Sequence, residues 1–411
     1  MRLSPFRAAL ILAIMFIATG CMPRAGRETT TPGPDIRVLI GTISFQDTLS
    51  FTGDYRLKSE EAEYEFGPRN RSLTVRALTD GVQLYNQNRN LLYRDHFPII
   101  LEPINTESRF TFRGFIYSGT IILEPDEDGG ILLINRLNIE AYLKGVVPAE
   151  IFAINAEDLQ AVKAQAICAR SYALKRLQEN SGGLFDLTAG TSDQVYGSFD
   201  RHTSLADQAV EETRGIVLTD RNLLATVYYH STCGGKTEAA ENIFNTDTTG
   251  YLISMTDAIG DRFACAASPY FRWTETRTIE QIDSAFQSHY GRSYLNRLIT
   301  DTTTVHLTAQ ITKRSSGRRV QAMTLGIGDT TITLSGYEIR RFFATPPNPY
   351  LRSTLFYLDQ YNDSTLVIYG AGFGHGVGLC QYGALMMARS GFQYYHILNK
   401  YFPATELTKK Y

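Results

Sequence analysis

Between Asn155 and Leu177 the chain carries the pattern that most limits how it can fold. Leu159, Val162, Ala166, Ala169, Ala173 and Leu177 recur at spacings of three and four, which places them on one stripe of a helix. Asn155 with Asp158 three residues on is a variant of the capping box, and Glu157 and Asp158 both suit the positive end of the helix dipole. Alanine dominates the stripe, so a neighbouring backbone or sheet can come close and the helix is expected to be central. Directly upstream, residues 145–150 read Gly-Val-Val-Pro-Ala-Glu. This is read as a turn before the helix, with Glu150 a potential acid held at the helix entrance. The bland alternative is a glutamate that merely precedes a core helix.

A chain of 411 residues can bury a large core and divide into two or three domains. Its 40 basic and 42 acidic residues nearly cancel, which removes any electrostatic case for nucleic acid. At the N-terminus Arg2 and Arg7 precede an apolar run, Ala8 to Ala18, that closes in Ala18-Thr19-Gly20-Cys21. Charged start, short apolar middle and small residues before a cut site make a secretory signal over residues 1–21, too short to span a bilayer stably. Cysteine at the point of cleavage resembles a bacterial lipobox. That resemblance implies lipidation of Cys21, a membrane anchor made of acyl chains, and a protein body in an aqueous extracytoplasmic compartment, the periplasm or cell envelope.

Residues 22–35, rich in Thr, Pro, Gly and Arg, have the composition of a flexible tether. From 36 to 134 short runs such as Ile36–Ile43, Ser72–Ala77, Ile99–Ile104, Phe110–Tyr117 and Thr120–Leu123 alternate with Gly, Pro, Asn and Asp, the signature of an antiparallel β region. His96 there stands alone and is read as structural or exposed. Residues 135–275 hold the central helix, a short helix at Ala206–Arg214 and a strand pair, Gly215–Leu218 with Ala225–His230, ending in a Cys-Gly-Gly turn. Residues 276–355 read as an inserted α+β excursion, with a helix near Gln281–His289 and strands at His306–Ile311 and Val320–Ile327. Residues 356–411 return through Thr365–Tyr369 to a glycine-rich loop around His375 and a helix over Gln381–Arg389 stopped by Gly391. The fold class expected is α+β. Neither a dinucleotide fingerprint nor a P-loop lysine accompanies the glycines.

The blocks GVVPAEI with KAQAICARSYAL, TSDQVYG, TRGIVL with YYHSTCGGKTEAAEN, and GHGVGLCQYGALMMA together resemble the SpoIID/LytB family of bacterial cell-wall proteins. The resemblance implies a peptidoglycan lytic transglycosylase, which cuts peptide-free glycan strands between MurNAc and GlcNAc and leaves 1,6-anhydro-MurNAc ends. It also implies that Glu150, in the family's Pro-Ala-Glu motif, is the single catalytic acid and base. Gln165, Arg170, Tyr172, Tyr196, Ser231, Lys236, His375, Gln381 and Tyr382 fall in the matching blocks and are expected to bind substrate. Cys168 and Ser171 depart from the block's usual residues without removing a charge. Other family members enhance cell-wall amidases, so a non-catalytic wall-binding protein with an amidase partner is the alternative, and a zinc-dependent wall hydrolase a third reading. A single carboxylate suits the first reading, because a muramic 6-hydroxyl replaces the water that glycoside hydrolysis needs two carboxylates to handle.

Four cysteines remain beyond Cys21: Cys168, Cys233, Cys265 and Cys380. Cys168 is most simply a small core residue. For the others, a Cys233–Cys265 disulfide is preferred, with zinc held by His230, Cys233 and Cys380, or free buried thiols, left open. No cofactor is required by the proposed chemistry, although some family members hold zinc.

Overall fold

A computed structural model describes residues 32–411, apart from 59–62, 68–70, 79–80, 96, 245–249, 292, 294, 296–305, 329 and 346. The expected signal, Cys21, residues 22–31 of the tether and His96 lie outside the described residues. The chain is a mixed α+β fold whose N-terminal part is antiparallel sheet, as the alternating runs require. One sheet orders the strands Leu187–Thr188, Asp35–Ile43, Ile131–Asn138, Thr120–Pro125, Ile99–Pro103, Tyr55–Lys58 and Glu63–Phe66. A second runs Phe115–Tyr117, Arg109–Phe112, Gln46–Thr52, Ser72–Leu78, Gly81–Asn86 and Leu91–Asp95. The run Phe110–Tyr117, read as one strand, is two. Arg113 and Gly114 both take positive φ (48° and 82°) and turn it into a hairpin.

The strand Ile131–Asn138 feeds straight into helix α1, Ile139–Glu150, whose N-cap is the Asn138 side chain, accepting from the Glu140 N–H. After the Asn155/Asp158 capping box comes α2, Leu159–Glu179, with Ala161, Val162, Ala164, Ala166, Ile167, Cys168, Ala169 and Ala173 all buried. The small side chains let α2 take neighbours on several sides. It packs against α1, against α3 (Ser204–Glu212), against the strand Ile216–Asp220, and against two C-terminal helices that appear below.

Arg170 carries a charge into the centre of this packing. It is fully buried and forms a bidentate pair with Glu140 of α1, at 2.8 Å from Nε to Oε1 and 2.7 Å from Nη2 to Oε2. Its remaining donors reach the carbonyls of Val210 and Ile216, at 3.2 and 3.1 Å, and the Thr213 hydroxyl at 3.4 Å. Glu140 also accepts from the Gly215 N–H and the Tyr411 hydroxyl, at 3.3 and 2.6 Å. One ion pair therefore ties α1, α2, the end of α3 and the C-terminal residue together. Arg170 has no donor left for a substrate.

Residues beyond 273 build a second core of their own, from Ile279, Ile282 and Phe286 on α4 (Ile279–Tyr290) to Leu366 and Ile368. It contains the sheet Leu307–Arg314, Val320–Ile327 and Thr330–Ser335, the helix α5 (Gly336–Phe342), and the strands Trp273–Thr278, Phe356–Asn362 and Thr365–Gly370. The excursion so extends beyond 355. The chain then re-enters the main core through Leu379–Cys380, α6 (Gln381–Arg389) and α7 (Tyr394–Tyr401), the two helices that cover α2.

Replacing Arg170 by Met leaves the Glu140 carboxylate buried without its partner and is expected to lower unfolding free energy by about 3–5 kcal/mol. The double variant Glu140→Leu with Arg170→Met is expected to recover most of that loss. Urea denaturation followed by circular dichroism checks both; equal losses in the single and double variants would deny the pair its role.

Candidate functional site

Glu150 stands at the C-terminal end of α1, which corrects the reading of residues 145–150 as a turn at the entrance of α2. Pro148 lies in the last turn of α1, where its ring removes one backbone donor. Ile151 then leaves the helix in extended conformation while its N–H still reaches the Val147 carbonyl at 3.1 Å. Gly145 has a separate reason: a Cβ there would lie 2.6 Å from the Tyr196 ring. Its absence lets the Asp193–Gly197 segment press against α1, where the Gly197 N–H donates to the Gly145 carbonyl at 3.1 Å.

That docking sets the environment of the carboxyl. The Val195 N–H donates to Glu150 Oε1 at 2.6 Å, and the Tyr229 phenol hydrogen-bonds the same carboxyl. Gln194 Nε2 donates to the Tyr229 hydroxyl at 2.9 Å, leaving the phenol its own proton to offer Glu150. Gln194 is fixed in turn by the Tyr142 hydroxyl at 3.3 Å. Burial pushes the Glu150 carboxyl up to about 7, against the opposing pull of the Val195 and Tyr229 hydrogen bonds. The helix end works in the same direction, because the last carbonyls of α1 carry partial negative charge and the last turn holds no basic residue. Asp193 close by is already engaged: it accepts from Thr188 N at 2.9 Å, Tyr172 Oη at 2.8 Å and Arg176 Nε at 3.2 Å. Just after Glu150 the surface is apolar, with Phe152 77% and Ile154 71% exposed.

The other expected site residues divide. Tyr172 is the partner of Asp193. Tyr196 is buried beneath α1, donating to Asn135 Oδ1 at 3.1 Å. Gln165 and Gln381 are buried and face each other at 3.4 Å. His375 has both ring nitrogens engaged: Nδ1 accepts from the Val377 N–H at 3.1 Å, so Nε2 carries the proton and donates to the Tyr229 carbonyl at 3.0 Å. Burial holds this ring neutral, its pKa pushed down to about 3. His375 therefore braces the backbone of the residue whose phenol meets Glu150, and leaves no nitrogen for a glycan. Ser231 and Tyr382 are half-buried and joined by the Tyr382 N–H to the Ser231 carbonyl at 3.1 Å. Lys236 lines a different cleft, about 800 Å³, together with Phe263, Arg272, Trp273, Arg318 and Tyr369. Tyr229, Gln194 and the Val195 amide were missed; Tyr229 and Gln194 both lie in recognised blocks, but only the folded chain aims them at Glu150.

His230 also departs from expectation, since its Nδ1 bonds the Val377 carbonyl at 3.0 Å and it joins no cysteine. Cys233, Cys265 and Cys380 instead converge with Asp257, all four buried, their ligand atoms within 4.8 Å of one another. The Cys233 and Cys265 sulfurs are 3.4 Å apart, beyond any S–S bond, and both residues are free thiols. The preferred disulfide is not formed.

Residues 127–219, which contain α1, α2 and the Gln194–Val195 segment, match the SpoIID family, described as stage II sporulation protein. Residues 239–378 match a domain of unknown function, DUF8618. An uncharacterised protein of Brachyspira hyodysenteriae is 28% identical over 379 residues, covering 90% of this chain and 92% of its own length. An amidase enhancer of Bacillus subtilis is 28% identical over 351 residues, 77% of this chain but 47% of that protein, so the chain spans less than half of it. Stage II sporulation protein D of the same organism is 28% identical over 291 residues, 67% of this chain and 76% of that protein. The chain carries a SpoIID domain, and its likeness to an amidase enhancer and to stage II sporulation protein D supports a role related to the cell wall.

The raised carboxyl has a stability consequence. Folded Glu150 keeps its proton up to about pH 7, whereas its ordinary value is 4.5, so between these values the folded state binds more protons than the unfolded one. Stability falls as pH rises through that window, and the full cost, roughly 1–3 kcal/mol, stands above it. Glu150→Gln is therefore expected to raise the melting temperature at pH 8 and to change it little at pH 4. Melting curves at the two pH values check this; a lower melting temperature at pH 8 would contradict it.

Proposed function

We propose that the protein is a peptidoglycan lytic transglycosylase, acting on peptide-free glycan strands between MurNAc and GlcNAc with Glu150 as sole acid and base. The observation that carries this reading is a carboxyl poised near neutrality at a helix end, fixed by one amide and one phenol beside exposed apolar side chains. The carbonyl oxygen of a protonated carboxyl is its better acceptor, so the Val195 N–H on Oε1 favours the transferable proton on the other oxygen. The proton belongs on Oε2. It passes to the glycosidic oxygen as the bond to C1 of the muramoyl residue breaks. The carboxylate so formed, steadied by Val195 and Tyr229, then takes the proton of the muramoyl 6-hydroxyl while that oxygen closes on C1. No water enters, and Glu150 ends protonated as it began. Phe152 and Ile154 offer apolar faces for sugar rings next to the reacting bond.

The same reading places the protein outside the cytoplasm, anchored through Cys21, with peptidoglycan as its substrate and a cell-wall amidase as a candidate partner. A second reading rests on the Lys236 cleft, where Trp273 and Tyr369 stand beside Arg272 and Arg318. Aromatic faces with cations suit an anionic wall polymer held without chemistry, and one relative is named an amidase enhancer.

Glu150→Gln keeps the side chain's size and its acceptor for Val195 but has no proton to give. It is expected to lower product release from denuded strands by at least about a hundredfold, with sedimentation on peptidoglycan retained. In the unaltered protein kcat/KM is expected to fall as pH rises through about 7, where the acid loses its proton. Mass spectrometry of released fragments gives both readouts. Wall binding with no products from either protein would favour the second reading.

A further inference from the structure

We propose that Cys233, Asp257, Cys265 and Cys380 form a structural site for one zinc-type divalent metal, a closed set of three thiolates and one carboxylate. The four residues come from separate places: Cys233 from the turn after the strand Tyr229–His230, Asp257 and Cys265 from the segment leading to the second core, and Cys380 from the re-entering strand Leu379–Cys380. Their ligand atoms lie within 4.8 Å of one another, with 3.4 Å between the Cys233 and Cys265 sulfurs. A tetrahedral ion with bonds of about 2.3 Å to sulfur and 2.0 Å to oxygen needs donor separations of this size.

The surroundings are those of bound thiolates. The Cys233 N–H points at Cys380 Sγ, 3.2 Å away, and the Gly235 N–H at Cys233 Sγ, 3.4 Å away. Gly234 and Gly235 take φ of 80° and 105°, which is how the turn brings that second amide round to the sulfur. Asp257 is oriented by the Cys265 N–H on Oδ2, at 3.0 Å, and the Tyr401 hydroxyl on Oδ1, at 2.5 Å. Three thiolates and a carboxylate would leave two negative charges on a divalent ion. The buried guanidinium of Arg319, donating to the Cys233 carbonyl at 3.2 Å, supplies a compensating positive charge.

Four protein donors in a fully buried place leave no open position for water, so the site is structural rather than catalytic. Its position gives it a task. Cys233 and Cys380 flank the DUF8618 match at residues 239–378, and Asp257 and Cys265 lie within it. The ion would clamp the chain where it leaves the SpoIID core and where it returns. The strands Tyr229–His230 and Leu379–Cys380, which pair in parallel, are held on the same clamp, and Tyr229 is the phenol at Glu150.

The test uses the full-length chain without a polyhistidine tag, purified in detergent under reducing conditions and supplemented with zinc, then with cobalt. Elemental analysis is expected to find about one zinc per chain. Alkylation mapped by mass spectrometry is expected to leave Cys233, Cys265 and Cys380 protected until a chelator is added. Cobalt is expected to give the near-ultraviolet thiolate charge-transfer band and visible bands of a tetrahedral site. Asp257→Cys is expected to keep the metal and strengthen the charge-transfer band, while Cys265→Ala loses stoichiometric metal. Absence of bound metal after supplementation, metal that stays while all three thiols react, or a disulfide between any two of the three in protein isolated from its native envelope would overturn the proposal. None of these readouts depends on wall-degrading activity.

Discussion

The buried pair between Glu140 and Arg170 is the interaction on which the rest of the molecule rests. A guanidinium with no exposed surface must have all its donors met inside the protein, and here they reach α1, the end of α3 and the strand that follows it. Those requirements fix how α1 lies on α2. Since Glu150 is the last residue of α1, they also fix where the acid is presented. Arg170 thus acts on the site through the helix it holds and not through contact with a substrate.

Glu150 occupies a position that stability alone would not select. An acidic side chain at a helix C-terminus faces partial negative charge, and burial adds a larger cost. The fold accepts that cost at one point, then surrounds the carboxyl with groups whose own positions are over-determined. Gln194 is held by Tyr142 while it holds the Tyr229 phenol. His375 fixes the Tyr229 carbonyl. A raised carboxyl kept in one orientation is what acid catalysis on a glycoside requires, and a glutamate serving only as a surface charge has no need of such support.

What could be read from the sequence was mostly local. The Asn155/Asp158 cap and the alanine stripe announce α2, and alternation announces the antiparallel sheets, because each depends on residues within a few positions. Helix α1 was hidden because Gly145 and Pro148 are turn residues by habit; the glycine in fact makes room for Tyr196, and the proline sits where the helix is already ending. The blocks around Gln165, Arg170, Tyr196 and His375 were recognisable, but their chemistry depends on which groups face them across the core. Arg170 and His375 prove to be braces. Asp257 carries no motif at all: its place beside three sulfurs exists only after residues over 120 positions apart have been brought together.

The central claim is that one carboxyl does the work of two because the substrate supplies its own nucleophile. Digestion of peptide-free glycan strands in water enriched in heavy oxygen, with mass spectrometry of the new ends, tests this most directly. The account requires 1,6-anhydro-muramoyl ends that carry no label. Labelled reducing ends would mean that water is the nucleophile, and the assignment of Glu150 as sole acid and base would fall.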